Sequence, residues 1–353
     1  MHDGGFDVII GNPPYLETRE VPYSTRYFAC EESGAIYALC IERSLALCES
    51  GGCISMIVPL ALVSTQRMTA LQHILERDRD CWYSNFSWRP GKLFDTVNRA
   101  LTVFVTTKPQ NNGVTFSTAY LKWNSDSRDY LIPSLRYVEC PRNRGVFWAP
   151  KLGQQVENSI LRKCASIRTT MGDFTGRSQN AVFYRTTGGL YWKVFTDFAP
   201  DFCVNGIAGS SSRETSFTLA DRSHVKPAVA VLSSDVFWWW YTITSNLRDL
   251  NPSDWRNFPV PESAMNDPKI QKMGAEYIAD LKANSTMLVR NQRSTGRTET
   301  QSFKIQKSKP IIDQIDKALA SHYGFSNEET EFLINYDIKY RVGLDKASSE
   351  NDA

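Results

Sequence analysis

From Phe6 a short apolar run, F-D-V-I-I, stops at Gly11 and passes directly into Asn12-Pro13-Pro14-Tyr15. No other feature constrains the chain as much. A β-branched run halted by a glycine and two prolines predicts a buried strand feeding a rigid loop, because proline fixes φ and donates nothing to a ladder. The residues that follow alternate in kind. Ala35 to Glu49 carries apolar residues at three- and four-residue steps and predicts a helix closed by Gly51-Gly52. Cys53 to Val58 predicts a second buried strand, stopped by Pro59. A helix is expected around Thr65 to Glu76, a weaker strand around Trp82 to Trp88, and a clear strand at Ala100 to Thr106. Strands alternating with helices predict an α/β unit with a largely parallel sheet.

Past Lys108 the texture changes to Asn, Ser, Thr, Arg and aromatics, and a boundary is expected between Lys108 and Leu131. Short strand-like pieces stand at Ala181 to Arg185 and Gly189 to Phe195. Helices are expected over Asp267 to Arg290 and Pro310 to Tyr323, separated by a polar stretch, Asn291 to Gln306, that reads as an exposed loop. The expected division is 1–120, 121–310 and a helical tail over 311–353. With 353 residues, 42% of them hydrophobic, the chain can bury a core in two domains.

Composition removes several classes of function. Forty Lys and Arg against 38 Asp and Glu give a net charge of +2, so a nucleic-acid partner has to be argued locally. The eight cysteines never form a C-x-x-C pair and only four histidines accompany them. They read as reduced small hydrophobes of a cytoplasmic protein, and no metal site is expected. Pro59 and Asp235 interrupt the two most apolar windows, so no membrane span is expected. The first residues, MHDGG, lack the pattern of a signal peptide.

The motif after the first strand suits one kind of chemistry. Methylating the exocyclic amino group of adenine requires the nitrogen lone pair, normally delocalised into the ring, to point at an electrophilic methyl group. Two acceptors holding the amino hydrogens achieve that. The side-chain carbonyl of Asn12 can be one and the main-chain carbonyl of Pro13 the other, with Pro14 keeping the step rigid. Tyr15 then offers a ring face to an extruded base.

F-D-V-I-I-G-N-P-P-Y resembles the catalytic motif of adenine-specific DNA methyltransferases, in the arrangement of Type IIG restriction-modification enzymes and their TaqI-like relatives. Further stretches share the resemblance: the helix around Tyr37 to Glu42, Gly51 to Pro59, Lys92 to Lys108, Met171 to Tyr184, Leu250 to Pro261 and the ending through Thr330. It implies the C-terminal half of a Rossmann-like methyltransferase sheet, followed by an α+β target-recognition domain that reads duplex DNA. It also implies catalytic roles for Asn12, Pro13, Pro14 and Tyr15, with Phe94 near the second aromatic that sandwiches the base. S-adenosylmethionine is the implied cofactor. Its Gly-rich loop lies upstream of the motif in that group, and this sequence has no G-x-G. The chain therefore reads as beginning at the fourth strand of the catalytic sheet, either a truncated product or one half of a split enzyme whose partner supplies the cofactor half. A nuclease would also lie upstream, and there is no E-x-K triplet here.

Candidates for contacts with DNA are local. Arg290, Arg293, Arg297, Lys304, Lys307 and Lys309 stand against Glu299 alone, which reads either as a solvated loop or as a phosphate-contacting arm. Thr175 to Asn180, with Arg177, and Ser210 to Arg213 are candidates for base or phosphate contacts. The run Phe237 to Tyr241 reads as core packing in preference to base stacking. His224 and His322 receive no role. Two other readings stay open: a non-catalytic specificity subunit, and methylation of another planar amine such as an RNA base or a glutamine side chain.

Overall fold

The computed structural model describes residues 5–108, 113–142, 146–188, 191–293 and 296–342. The chain's first residues, the start of the piece expected at Gly189 to Phe195, and the tail beyond 342 lie outside them. Two compact units form. One comprises Met1–Ser159 with Thr242–Asn246, the other Ile160–Tyr241 with Leu247–Ala353.

The first unit is built on a mixed six-stranded sheet. Its strands are β1 (Phe6–Gly11), β2 (Cys48–Pro59), β3 (Asp80–Phe86), β4 (Leu101–Thr107), β5 (Thr115–Leu121) and β6 (Val138–Glu139), in the order β1-β2-β4-β3-β5-β6. Helix α1 (Ile36–Leu47) carries the chain from β1 to β2, which pair parallel as a helical crossover requires. The sheet is not largely parallel. β4 runs antiparallel to both β2 and β3, since β3 and β4 are joined by a loop and not by a helix that would return the chain to the same end. β5 restores a parallel pair with β3.

Gly51 and Gly52 do not end α1; they lie inside β2, where its register against β1 shifts. A Cβ on Gly52 would stand 2.8 Å from the Asp7 carbonyl oxygen and 2.9 Å from that of Phe6, so the two backbones close only over glycine. One face of the sheet packs on α1 and on a helix at Thr69–Glu76, through Ile54, Met56, Val58, Leu71, Leu75 and Phe104. Ile9 joins that core, whereas Phe6, Val8 and Ile10 point the other way and are 60%, 61% and 77% exposed. β1 is also an edge strand, with β2 as its only neighbour among the described residues.

The compact unit runs on to Ser159, past the boundary expected near residue 120. Lys151 ties Thr242–Asn246 to this unit: its buried ammonium donates to the carbonyls of Ile243 and Ser245, both at 2.9 Å.

The second unit holds two small sheets. β7 (Ala181–Arg185), β8 (Phe195–Thr196) and β11 (Glu214–Thr218) form one, in the order β11-β7-β8. β9 (Phe202–Val204), β10 (Ile207–Ala208), β12 (Ser285–Gln292) and β13 (Gly296–Phe303) form the other, in the order β10-β9-β13-β12. The stretch expected as the end of a helix and a loop is the β12-β13 hairpin, paired from Ser285↔Phe303 to Gln292↔Gly296. The preceding helix stops at Ala283. Phe237, Trp238, Trp239, Trp240 and Tyr241 are all buried, with Phe237 edge-on to Phe195 at 5.6 Å and to Phe258 at 5.2 Å, as expected of a core run.

The tail helices Lys309–Tyr323 and Asn327–Asn335 belong to this second unit. Fully buried Asp235 accepts from Lys309 Nζ at 2.9 Å and from the Arg341 guanidinium. Asp316 accepts the N–H groups of Asp235 at 3.0 Å and Val236 at 3.2 Å, capping the helix that starts there. Burial and the neighbouring Asp235 carboxylate push the Asp316 carboxyl well above the usual range.

Candidate functional site

The motif residues follow the last residue of β1, at the carboxyl end of a parallel strand. Open α/β sheets gather ligands at that end, because crossover helices leave a crevice there. Asn12 is exposed, and among the described residues its side chain has no hydrogen-bond partner. Pro13 is buried and Pro14 exposed, so the rigid step is seated on one side only. Tyr15 is half-buried, and its hydroxyl donates to the Ile57 carbonyl of β2 at 3.1 Å. That bond fixes the ring beside the sheet. Burial pushes the phenol up to about 12, with the Arg99 guanidinium pulling the other way, so Tyr15 stays a neutral donor across the physiological range. Arg99 stands 5.9 Å from the centre of the ring.

The chain beyond Tyr15 is clamped. Arg67 makes two charge-assisted bonds to Glu17, at 2.6 and 2.9 Å, and Glu17 pairs with Ala35 in an isolated bridge just before α1. The Arg67 bonds hold the Glu17 carboxyl below the ordinary range. Phe94 lies half-buried in the loop between β3 and β4, and among the described residues it makes no ring contact with Tyr15. That loop is fixed by its neighbour Leu93, which packs against Phe86, Trp123 and Leu131, and by Arg128, which donates to the carbonyls of Lys92 and Leu93. Arg99, in the same loop, was absent from the sequence reading. A lone basic residue before a strand carries no local signal.

The basic candidates all lie in the second unit. Arg290, Arg293 and Arg297 are exposed on the β12-β13 hairpin, Arg297 pairing with Glu299 at 3.1 Å, and Lys304 and Lys307 are exposed just after it. Arg177 is exposed on a loop before β7. The polar residues near it are partly committed to holding that loop: Ser178 Oγ and Asn180 Nδ2 both donate to the Leu219 carbonyl.

Two candidates, Arg213 and Arg290, line a cavity of about 400 Å³ together with Arg185, Lys193 and Glu214. Arg185 and Glu214 face each other across the β7-β11 pair, with Arg185 Nε 4.0 Å from a Glu214 oxygen and lacking a hydrogen bond among the described residues. Burial raises the Glu214 carboxyl despite Arg185 and lowers the Lys193 ammonium to about 8. Nothing in the sequence marks Arg185 or Lys193; they line the hollow because the fold packs two separate sheets and the loops beside them around it. Four cations against one carboxylate make the hollow electropositive.

Residues 1–87 match the Eco57I restriction-modification methylase family. No curated protein matches the chain. Among solved structures, the Type IIL restriction-modification enzyme MmeI in complex with DNA is similar over 96% of this chain and 57% of that one, at 11% identity and a TM-score of 0.51. A DrdV–DNA complex is similar over 96% of this chain and 55% of that one, at 11% identity and a TM-score of 0.42. The methyltransferase subunit of a type I system from Streptococcus thermophilus is similar over 33% of this chain and 26% of that one, at 14% identity and a TM-score of 0.26. The chain thus spans little more than half the length of MmeI, and the likeness is one of fold.

Proposed function

We propose that this chain carries the catalytic loop and the target-reading part of an adenine-specific DNA methyltransferase of a restriction-modification system. The observation that carries the reading is the placement of Asn12-Pro13-Pro14-Tyr15 at the carboxyl end of β1, with the Asn12 amide unpartnered among the described residues and the Tyr15 ring fixed by Ile57. Asn12 Oδ1 and the Pro13 carbonyl accept the two amino hydrogens of an extruded adenine, which directs the nitrogen lone pair out of the ring plane. Tyr15 stacks on the base. Its hydroxyl is already committed to Ile57, so the ring serves as a surface and not as a proton donor to the substrate. The Phe94 loop supplies the second wall, and Arg99 meets the phosphate of the extruded nucleotide. The match of residues 1–87 to a restriction-modification methylase family supports this reading.

S-adenosylmethionine is the methyl donor such chemistry uses. The described residues do not fit it, because no glycine-rich turn stands beside the motif and the strand that would carry one has no counterpart next to β1. The bare edge of β1 and the exposed Phe6, Val8 and Ile10 are where a further parallel strand and a covering helix would pack, whether from a preceding segment or from a partner chain. The basic cavity and the β12-β13 hairpin hold duplex DNA.

The test is transfer of labelled methyl groups to duplex DNA by this chain combined with the polypeptide encoded immediately upstream. The expected outcome is methylation of adenine, with Asn12→Ala lowering the rate by at least about 100-fold while filter retention of DNA is unchanged. Transfer by Asn12→Ala at the parent rate would sink the assignment. DNA retention without transfer by any combination would favour a specificity subunit instead.

A further inference from the structure

Residues 18–34 make a closed excursion from the motif. Thr18 N–H donates to the Gly34 carbonyl at 2.8 Å and Ile36 N–H to that of Leu16 at 2.9 Å, so the excursion leaves and re-enters at one place, three residues after Tyr15. Val21, Phe28 and Cys30 pack inward on the core of the first unit. Glu42 of α1 accepts the N–H groups of Ala29 and Cys30, both at 2.8 Å, and Glu31 accepts that of Tyr27 at 3.2 Å. These bonds hold Tyr27 at φ 73°, the left-handed region that residues with a Cβ avoid. Its side chain is 98% exposed, that of Tyr23 is 60% exposed, and Arg26 between them is exposed.

Folding gains nothing from this arrangement. The Tyr27 ring buries no surface, a glycine would hold the same φ without strain, and the surrounding bonds maintain the conformation nonetheless. Strain maintained in this way, with a large side chain presented to solvent, is characteristic of ligand clamps. The excursion is rooted beside the candidate base-holding loop and carries an exposed aromatic residue directly after an exposed arginine, residue types that suit a base and its phosphate.

We propose that Tyr27 is a stacking contact for DNA. Its ring packs against the bases next to the extruded adenine, in the gap that extrusion opens, while Arg26 meets the adjoining phosphate and Tyr23 supports the same strand. The proposal rests on the DNA reading given above and adds to it an aromatic contact beyond Tyr15 and Phe94.

The test measures binding of the full chain to two labelled duplexes of one sequence, one fully paired and one with an abasic site facing a single adenine. The wild type should prefer the gapped duplex. Tyr27→Ala should lose about 5- to 150-fold in affinity for it, the range that loss of one base-aromatic stack produces. Tyr27→Phe should retain affinity, and the salt dependence should fall for Arg26→Ala but not for Tyr27→Ala. Tyr27→Gly, relieved of strain, should melt no lower than the wild type and bind as weakly as Tyr27→Ala, which separates contact from folding. Binding by Tyr27→Ala within twofold of the wild type would overturn this proposal alone. Failure of the wild type to retain either duplex would overturn the DNA reading and this proposal with it.

Discussion

The motif loop and the basic cavity are assembled in opposite ways. Asn12 to Tyr15 are consecutive, and their arrangement follows from a strand end, two prolines and one long-range bond from Tyr15 to Ile57. The cavity draws Arg185, Lys193, Arg213, Glu214 and Arg290 from four stretches of chain, on two separate sheets and the loops beside them, so only the packing of the second unit brings them together. A site written in consecutive residues depends on local rigidity, whereas a gathered one depends on the core beneath it. The second should therefore fail when that core is damaged far from any functional residue.

The sharpest way to break this contrast is Asp235→Ala. Asp235 is fully buried between Lys309 and Arg341, and removing it takes the carboxylate from Arg341 in the core of the second unit and leaves Lys309 only the carboxylate of Asp313 among the described residues. The expected cost is about 3–5 kcal/mol of stability, read from urea unfolding. Binding of DNA by the second unit should fall with it, while the environment of Tyr15 in the first unit stays as it was. Unchanged DNA binding by a destabilised variant would show that the gathered site does not rely on this core.

A smaller effect is expected at the cavity itself. Arg213→Ala with Arg290→Ala removes two exposed cations and should leave the fold intact. If both meet phosphates, affinity should drop by roughly tenfold or more near physiological salt, and the slope of log K against log salt should become shallower by about one for each residue. A lower affinity with the same slope would mean that these residues touch bases or protein and not the backbone of DNA.

The same contrast decides what could be read from the sequence. The helix at Ile36–Leu47 and the strands at Asp80–Phe86 and Leu101–Thr107 lie close to where the apolar pattern places them, because each buries a face. The strand at Phe6–Gly11 lies where expected but is not the buried strand its apolar run predicts, since Phe6, Val8 and Ile10 are exposed along an edge unpaired among the described residues. The directions of the strands were not legible. Nothing local distinguishes β4, antiparallel to both neighbours, from a parallel strand; the absence of a helix between Phe86 and Leu101 was the available signal. The β12-β13 hairpin escaped for another reason. In G-R-T-E-T-Q-S-F every residue but the last is polar or glycine, and both faces stay partly exposed, so hydrophobic alternation has nothing to mark. Its threonines were the weak sign of a strand. The candidate catalytic residues were legible because they are contiguous, whereas Arg99, Arg185 and Lys193 were not.

The smallest expected effect tests the clamp that keeps the motif loop local. Glu17 and Arg67 are each more than a third exposed, so their pair is screened by solvent and contributes only about 0.5 kcal/mol. Its dependence on pH is specific. The folded state holds the Glu17 carboxyl below its ordinary value, mainly through the bonds from Arg67. The contribution is therefore complete above the ordinary glutamate range, near about pH 4.3, and is lost as pH falls through the lowered folded value. Glu17→Gln should lower the melting temperature slightly at neutral pH, and the difference from the wild type should shrink to nothing in acid. A difference that persists in acid would mean that the Glu17 side chain supports the loop through hydrogen bonds that glutamine does not reproduce and not through its charge. The main-chain bridge to Ala35, which glutamine keeps, ties the motif loop to the start of α1 in either case, so the distinction between the two sites narrows to the number of long-range contacts each requires.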